Sequence, residues 1–251
     1  MEQTIRKPSI SWLIMLGAVL AVASALLLLA GPVGYRLGIV PLRVALQMLL
    51  RWGAYAAIAA AVLSLAGLVL TLTRPRETRR GTWLAAIGLL AGIVLISIPG
   101  SFRLGPPKPP IHDITTDTKE PPEYVAVLPL RANAPNTTVY GGEEIAAQQR
   151  EAYADLQPLV LSVQPPQAFE RALATVRGMG WDVVAADAAA GRIEATDTTF
   201  WFGFKDDVVV RVRPADGGSR IDVRSLSRVG RGDAGTNAKR IRAYLDALRA
   251  G

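Results

Sequence analysis

The sequence contains no cysteine and only one histidine, His112. The lack of cysteine excludes disulfides, thiolate metal sites and cysteine nucleophiles. A single histidine excludes a metal site built from several histidines. We therefore expect no metal and no other cofactor. The lack of cysteine also fits a secreted or periplasmic domain, although it does not require one.

Acidic residues are scarce in the first part of the chain. Residues 1–104 carry ten Lys or Arg and two acids, a net charge of +8, whereas residues 105–251 carry a net charge of −1. A nucleic-acid-binding protein concentrates its positive charge on a folded module. Here the positive charge flanks apolar runs, which is how membrane topology is encoded. We predict that the lipid bilayer is a partner and that nucleic acid is not.

Apolar runs dominate residues 1–103, the predicted membrane region. Spans at about 10–30, 52–73 and 83–98 approach the ~20 apolar residues that cross a bilayer core, and none shows the polar face of a helix on a soluble protein. The sequence therefore predicts three transmembrane helices. The first run could be a cleaved signal peptide, but two further spans follow it, so we interpret it as a retained anchor.

The basic residues that flank the spans predict an orientation. One side carries Arg6, Lys7 and four arginines of the loop at 74–80. The other side carries four basic residues: Arg36, Arg43, Arg103 and Lys108. Because basic loops stay in the cytoplasm, this distribution predicts a multi-pass protein of the bacterial inner (cytoplasmic) membrane. Its amino terminus is cytoplasmic and its carboxyl-terminal domain is periplasmic.

The third span holds Gly88 and Gly92 at the G-x-x-x-G spacing, which permits close approach of a second helix. Two uses remain open for these glycines. They serve either packing within one three-helix bundle or association of two copies into an oligomer.

A proline-rich linker, 104–110, precedes a predicted α+β domain at 111–251. Residues 111–165 carry many turn signals, with extended pieces at Tyr124–Leu130 and Leu159–Val163 and a short helix at Glu143–Tyr153. Regular structure follows. A helix is predicted from Pro165 to Gly178 or Gly180, and a last helix from Ala234 to Arg249. Between them the sequence predicts four strands: Trp181–Ala186, Arg192–Phe204, Val208–Arg213 and Arg220–Ser227. The sequences ADAAAGR, KDD and PADGGS separate these strands. This order predicts an antiparallel four-stranded meander with two helices on one face.

Alternation along the last two strands separates the two faces of the sheet. Valine and isoleucine face the helices: Val208, Val210, Val212, Ile221 and Val223. The opposite face carries Arg211, Arg213, Asp222 and Arg224, with Arg211 opposite Asp222. Three interpretations of this charged face remain open: it is solvated, it is covered by residues 111–165, or it binds an anionic or polar ligand.

Four aromatic residues cluster after the second strand: Phe200, Trp201, Phe202 and Phe204. Alternation predicts that some of these rings point away from the core. We expect them to pack against the preceding segment, and a membrane-facing or partner-facing patch is the alternative.

The stretch VGRGDAG, 229–235, matches the spacing G-x-G-x-x-G at Gly230, Gly232 and Gly235. A dinucleotide site needs this motif in a βαβ unit with a second parallel strand, and the sequence offers no such strand after the helix. The strand before the glycines also alternates charged and apolar residues, unlike a central parallel strand. The motif is therefore predicted to be a strand-to-helix turn in which Asp233 accepts hydrogen bonds from the amides of Gly235 or Thr236.

Arginines surround the predicted start of this last helix. Arg224, Arg228 and Arg231 could bind an anion there together with Asp233 and Asn237, or they could form an internal network with Asp222 and Asp233. Both readings remain open. Further polar candidates complete the set: Asp113, Asp117, Ser225 and Ser227.

Five blocks of sequence resemble the domain of unknown function 1499 family over about residues 111–250. They are DITTD (113–117), QREAYADLQPL (149–159), GMGWDVV (178–184), FKDDVVVRVRP (204–214) and SRIDVRSLSRVGRGDAGTNAKRIRAYLDAL (219–248). The recurring positions of the family match Asp222, Arg224, Ser225, Ser227, Arg228, Gly230, Asp233, Gly235 and Asn237, and Gly232 is not among them. The resemblance implies a fold unit with a shared polar cluster, and membrane spans precede this domain in some bacterial members. It implies no activity.

Two hypotheses for function follow. In the first, the domain is a non-enzymatic binding or scaffolding module for an envelope partner protein, a lipid headgroup or another anionic group. In the second, it is an envelope hydrolase or transferase that uses Asp113, Asp117 or Asp222 as acid or base, with carboxylates drawn from regions 111–117 and 222–237.

Overall fold

The computed structural model describes residues 12–73, 81–101 and 108–251. It divides the chain into two compact units, 1–105 and 106–251. The predicted orientation rests in part on Arg6, Lys7 and the loop at 74–80, which lie outside the described residues. Residues 104–107 of the predicted linker lie outside them too.

The first unit consists of apolar helices. These are α1 (Trp12–Arg36), α2 (Leu42–Val44), a π-helical segment (Ala45–Leu49), α3 (Leu50–Leu72) and α4 (Thr82–Ser101), with α2, the π-helical segment and α3 forming one continuous helix. Two stretches, Trp12–Arg36 and Leu42–Leu72, are long and apolar enough to cross a membrane. The apolar part of α4, Thr82–Ser97, is shorter. The predicted apolar helices are thus confirmed. Three spans were predicted, and two helices of spanning length are found among the described residues.

Small residues mediate the packing of these helices. A Cβ atom added to Gly88 would lie 2.5 Å from the Ser64 hydroxyl oxygen of α3, and one added to Gly92 would lie 2.9 Å from the Ala61 amide nitrogen. Both glycines therefore face α3 of their own chain, which is one of the two uses that the sequence left open. An oligomer through Gly88 and Gly92 stays a prediction.

The second unit contains a six-stranded antiparallel sheet. Its strands are β1 (Asp113–Thr115), β2 (Leu159–Leu161), β3 (Asp182–Asp187), β4 (Arg192–Thr198), β5 (Lys205–Ala215) and β6 (Gly218–Ser227). Strands β3 to β6 form the predicted meander, but β1 and β2 also pair with β6, so a four-stranded sheet was wrong. Each added strand has only three residues, too few to show an alternating pattern in sequence.

Two helices cover one face of the sheet, as predicted. Helices α6 (Pro165–Gly178) and α7 (Thr236–Ala250) bury their apolar sides against the valines and isoleucines of β5 and β6. Trp181 stacks on Tyr244 with ring centroids 5.4 Å apart, and the Tyr244 hydroxyl donates to the Ala172 carbonyl at 3.1 Å. A shorter helix, α5 (Gly142–Ala152), precedes β2.

The chain that follows β1 lies across the other face of the sheet. The Glu194 carboxylate, wholly buried in β4, accepts hydrogen bonds from the amides of Val125, Ala126 and Val127 at 3.0–3.1 Å. Because these amides bind a side chain, the predicted extended piece Tyr124–Leu130 is wrong. Turns and a 3-10 helix, Leu128–Arg131, occupy it instead. The charged face is thus largely covered by the segment between β1 and β2, within the predicted 111–165, although Arg213 at its edge stays 34% exposed.

Three predicted boundaries shift for physical reasons. Strand β4 ends at Thr198, and residues 199–204 form a loop instead of continuing the strand to Phe204. The sequence KDD, predicted to separate two strands, belongs to β5. Helix α7 begins at Thr236 because Ala234 and Gly235 have left-handed backbone angles, φ of 55° and 83°.

We predict that Gly191→Ala strongly destabilises the second unit. Gly191 has a φ of +61°, and a Cβ atom there would lie 2.2 Å from the Val212 carbonyl oxygen. The left-handed backbone costs about 1–2 kcal/mol for a residue with a Cβ atom, and the clash adds to it. Gly217→Ala is the matched control, because Gly217 has a φ of +77° and open space around it. Urea unfolding of the full chain in nanodiscs, followed by circular dichroism, checks this, and equal losses in the two variants would contradict the clash.

Candidate functional site

Arg224 lies at the centre of the covered face, in β6. Its Nε and Nη2 donate to the two carboxylate oxygens of Asp113 at 2.8 and 2.7 Å, and its side chain is 3% exposed. The guanidinium lies between the rings of Tyr124 and Tyr140, 5.0 and 5.5 Å from their centroids. Burial alone would lower the pKa of Arg224, but the hydrogen bond and charge of Asp113 raise it overall. Arg224 and Asp113 therefore form a buried pair in which the two charges balance.

Asp222 belongs to a second group on the same face. Its carboxylate, wholly buried, is 3.0 Å from Arg211, 3.3 Å from Arg213 and 2.9 Å from Arg220. The predicted opposition of Arg211 and Asp222 is confirmed by the strand register.

Asp117 shares the same three arginines, at 2.7 Å from Arg220, 3.2 Å from Arg211 and 3.5 Å from Arg213. Burial would raise the pKa of Asp117, but hydrogen bonds from the amides of Glu120 and Lys119, together with the arginines, lower it overall. Asp117 and Asp222 are thus both held as partners of arginine.

Asp207 is the centre of a third group. Arg228 donates to both of its oxygens, at 2.7 and 2.9 Å, and Arg131 and Thr196 donate at 2.5 and 2.7 Å. Burial would raise the pKa of Asp207, but these hydrogen bonds, that of Arg228 foremost, lower it overall. Arg228 also donates to the Leu130 carbonyl at 2.9 Å. Arg228 therefore holds the covering chain onto the sheet.

Ser225, Ser227 and Asn237 meet on the helix-covered side. The Ser225 hydroxyl donates to the Asn237 side-chain oxygen at 2.7 Å, and the Asn237 amide donates to the Ser227 hydroxyl at 3.0 Å. Arg240 extends this group to Asp206 at 2.6 Å and Asp197 at 2.7 Å. These contacts attach α7 to the sheet, and the serine hydroxyls are buried within them.

Asp233 occupies the start of α7 with its own carboxylate. It accepts hydrogen bonds from the amides of Gly235 at 2.8 Å and Asn237 at 2.7 Å, so the predicted bond from Gly235 is confirmed. Burial raises the pKa of Asp233, and these two bonds offset part of the rise. Because Asp233 already fills this end of the helix, the motif is a self-capped turn.

The three predicted arginines do not converge on that helix start. Alternation along β6 directs Arg224 to the covered face, whereas Ser225 and Ser227 face α7, and Arg228 turns to Asp207. Arg231 is exposed, and its side chain forms no ion pair among the described residues. Arg224 and Arg228 thus belong to an internal network, but their partners are Asp113 and Asp207 and not the predicted Asp222 and Asp233. An anion site at the start of α7 stays a prediction.

A cavity of about 320 Å³ opens beside Arg224. Seven residues line it: Pro121, Glu123, Tyr124, Thr138, Val139, Tyr140 and Arg224. The Tyr140 hydroxyl is buried and has no hydrogen-bond partner among the described residues, and burial raises its pKa to about 12. Arg224 Nη1 has two N–H groups and uses one on the Pro122 carbonyl at 3.1 Å. The cavity thus contains polar groups with unused hydrogen-bonding capacity.

A family model matches residues 113–248 and describes a protein of unknown function, DUF1499. The chain belongs to the DUF1499 family. No curated protein sequence matches it. The matched residues include the whole sheet, α5, α6 and most of α7. Of the positions expected from the resemblance, Asp222, Arg224, Ser225, Ser227 and Asn237 are buried, whereas Gly230 is exposed. In the part of the chain that the structure describes, no three His, Cys, Asp or Glu side chains are grouped so as to hold a metal ion.

Sequence reasoning missed several buried polar residues: Arg131, Asp206, Asp207, Arg240 and Gln149, whose side-chain amide forms two hydrogen bonds with the Thr115 backbone. Asp206 and Asp207 are 3% and 0% exposed, and the pair was read as a turn because two adjacent aspartates are typical of one. The sequence did hold a signal for them, because Asp206 and Asp207 directly precede the valines Val208 and Val209 and continue the alternation of that strand. Arg131 and Gln149 lie in segments without periodicity, so the sequence carried no signal for them.

We predict that Arg224→Ala costs about 3–5 kcal/mol of the free energy of unfolding, because it leaves Asp113 buried without its partner. Arg231→Ala is the matched control. Its side chain is exposed, so its removal should cost less than about 0.5 kcal/mol. Urea unfolding measures both variants. Equal, small losses would show that Arg224 is dispensable to the fold and would contradict a structural role.

We predict that Asp207→Asn flattens the acid limb of the stability curve. The folded-state pKa of Asp207 is lowered, so its contribution is present above the unfolded pKa of about 3.9 and is lost as the pH falls through the folded pKa. The free energy of unfolding is measured from about pH 6 to about pH 2, the range in which carboxylates titrate. It should fall more steeply for the native sequence than for the variant. Parallel curves would contradict this linkage.

Proposed function

We propose that the chain is a membrane-anchored binding module of the bacterial envelope. The apolar helices span the inner membrane three times, with the amino terminus in the cytoplasm and the DUF1499 domain in the periplasm. Small residues at the helix contacts and large apolar side chains on the outside support this proposal, because helices in lipid are built in this way. Trp12, Trp52 and Trp83, 61–68% exposed, lie near the helix ends as interfacial anchors do.

The ligand of this module is a neutral, hydroxyl-rich group, such as a sugar or the glycerol part of a lipid headgroup. The observation that carries this proposal is that Tyr140 lines the cavity, while its buried hydroxyl has no hydrogen-bond partner among the described residues. Arg224 supplies a spare N–H, and Glu123 supplies a carboxylate acceptor. Because Asp113 already balances the charge of Arg224, the cavity favours a polar neutral group over an anion.

The hydrolase or transferase hypothesis has no observation in its favour among the described residues. Each of its candidate acids, Asp113, Asp117 and Asp222, is held by at least one arginine. None of the three lines the cavity beside Tyr140. A free acid or base next to a substrate-sized space is what that hypothesis requires.

We predict that glucose binds the full chain in nanodiscs and that Tyr140→Phe abolishes most of this binding. Saturation-transfer NMR detects the contact directly, and inorganic phosphate is the anionic probe. Tyr153→Phe is the matched control, because the Tyr153 hydroxyl is also buried, with no partner in the part of the chain that the structure describes, but Tyr153 does not line the cavity.

Transfer to glucose that is lost in Tyr140→Phe and kept in Tyr153→Phe supports the proposal. Transfer to phosphate alone would replace it with an anion site. No transfer to either probe, or equal loss in both variants, would overturn the cavity as the ligand site.

The predicted orientation has its own test. A reporter enzyme that is active only outside the cytoplasm, fused after Gly251, should be active. The same reporter fused within the loop at 74–80 should be inactive, and the reverse result would overturn a periplasmic DUF1499 domain.

A further inference from the structure

The loop between β4 and β5, residues 199–204, presents aromatic rings to solvent. Phe200 is 81% exposed and Trp201 is 42% exposed, and their rings form an edge-to-face pair with centroids 5.3 Å apart. Large aromatic side chains such as Phe and Trp are mostly buried in folded proteins. Two such rings at one tip therefore indicate a surface that meets an apolar environment.

Hydrogen bonds and ring stacking hold the base of this tip. The Thr199 amide donates to the Phe204 carbonyl at 2.8 Å, and the Gly203 amide donates to the Thr199 carbonyl at 2.9 Å. Phe202 stacks on Phe204 with centroids 4.9 Å apart and is 8% exposed. The loop thus divides its rings, with Phe202 turned inward and Phe200 and Trp201 outward.

The aromatic tip lies at the end of the sheet where the chain enters the DUF1499 domain. Thr198 pairs with Lys205 beneath the tip, and the neighbouring Ser227 amide donates to the His112 carbonyl at 3.1 Å. A Cβ atom on Gly232 would lie 3.1 Å from Pro110. The segment that follows the apolar helices therefore joins the domain at this end.

The covalent connection to those helices is short. Helix α4 ends at Ser101, and six residues, 102–107, precede Lys108. A fully extended chain spans about 3.6 Å per residue, so this connection reaches at most about 25 Å.

Exposed positive charge lies at the same end of the domain. Lys108, Lys205 and Arg231 are exposed and form no ion pair among the residues that the structure describes, and the Lys108 ammonium lies 5.7 Å from the centroid of the Tyr153 ring. The acids beneath the tip are already neutralised, Asp206 by Arg240 and Asp207 by Arg228. Exposed Lys and Arg are attracted to anionic lipid headgroups, and Trp and Phe favour the membrane interface.

We propose that Phe200 and Trp201 insert into the interface of the bilayer that holds the apolar helices, while Lys108, Lys205 and Arg231 lie on anionic headgroups. The occupant of this surface is lipid, because exposed aromatic rings and exposed positive charges lie together at one end of the domain. The inference rests on the proposed membrane insertion of the helices and is independent of the ligand in the cavity.

Labelled cysteines test this docking in a chain that has no cysteine of its own. Phe200→Cys carries a nitroxide at the tip. Val160→Cys is the matched control, because Val160 is 60% exposed in β2 and pairs with Arg220 at the far end of the sheet. Each variant is a full chain, one copy per nanodisc, in a mixture of phosphatidylglycerol and phosphatidylethanolamine. Power-saturation EPR then measures collisions with oxygen and with a water-soluble nickel chelate.

We expect the ratio of oxygen to nickel collisions to be severalfold higher at position 200 than at position 160. Neutralising Lys205 and Arg231 by Lys205→Gln and Arg231→Gln in the Phe200→Cys background should lower that ratio. Equal ratios at the two positions would overturn the proposal, provided that thermal melting shows both labelled domains folded. One copy per disc excludes protection by a second copy, so protection at position 200 is protection by lipid.

Discussion

A sheet face that carries alternating charges can be covered only if every buried charge meets a partner. In the DUF1499 domain this requirement applies to the outer face of β5 and β6, where Asp207, Asp222 and Arg224 are at most 2% exposed. Strand β1 and the segment that follows it supply the missing partners, Asp113 to Arg224 and Arg131 to Asp207. An unpaired charge buried at this depth would cost several kcal/mol. The charge pairing therefore determines where residues 113–140 lie, and their covering of the sheet follows from it.

The same requirement determines which polar residues are left for function. The sequence predicts a site that contains Arg224, Arg228 and Asp222. In the structure, all three form ion pairs with residues of the same domain. Among the described residues, the polar groups that remain are the Tyr140 hydroxyl, one N–H of Arg224 and exposed charges such as Arg231. A concentration of arginine in a family motif is thus weak evidence for an anion site when the arginines are paired with carboxylates of the same domain, as Arg224 and Arg228 are.

The periodicity of apolar residues in the sequence predicted the meander and the two helices that cover it. The valines of β5 and β6, the two covering helices and the pairing of Arg211 with Asp222 all follow from alternation and from the spacing of apolar residues. The rest depends on contacts that no local pattern encodes. Glu194 gathers three backbone amides from a segment about 70 residues earlier in the chain, and a strand of three residues such as β1 has no period to detect. Long-range bonds between side chain and backbone are therefore the information that the sequence alone does not display.

The buried networks also set the geometry of the exposed groups. Arg228 donates through Nη1 to the Leu130 carbonyl, and its backbone amide donates to the Lys205 carbonyl at 3.0 Å, directly beneath the aromatic tip. Arg224 donates to the Thr138 carbonyl at 2.8 Å and thereby fixes one wall of the cavity beside Tyr140. Each arginine joins the core to a surface feature. Mutation of such a structural residue can alter binding at the surface even though the residue itself contacts no ligand. Stability and binding therefore have to be measured together before any arginine of this face is assigned to a site.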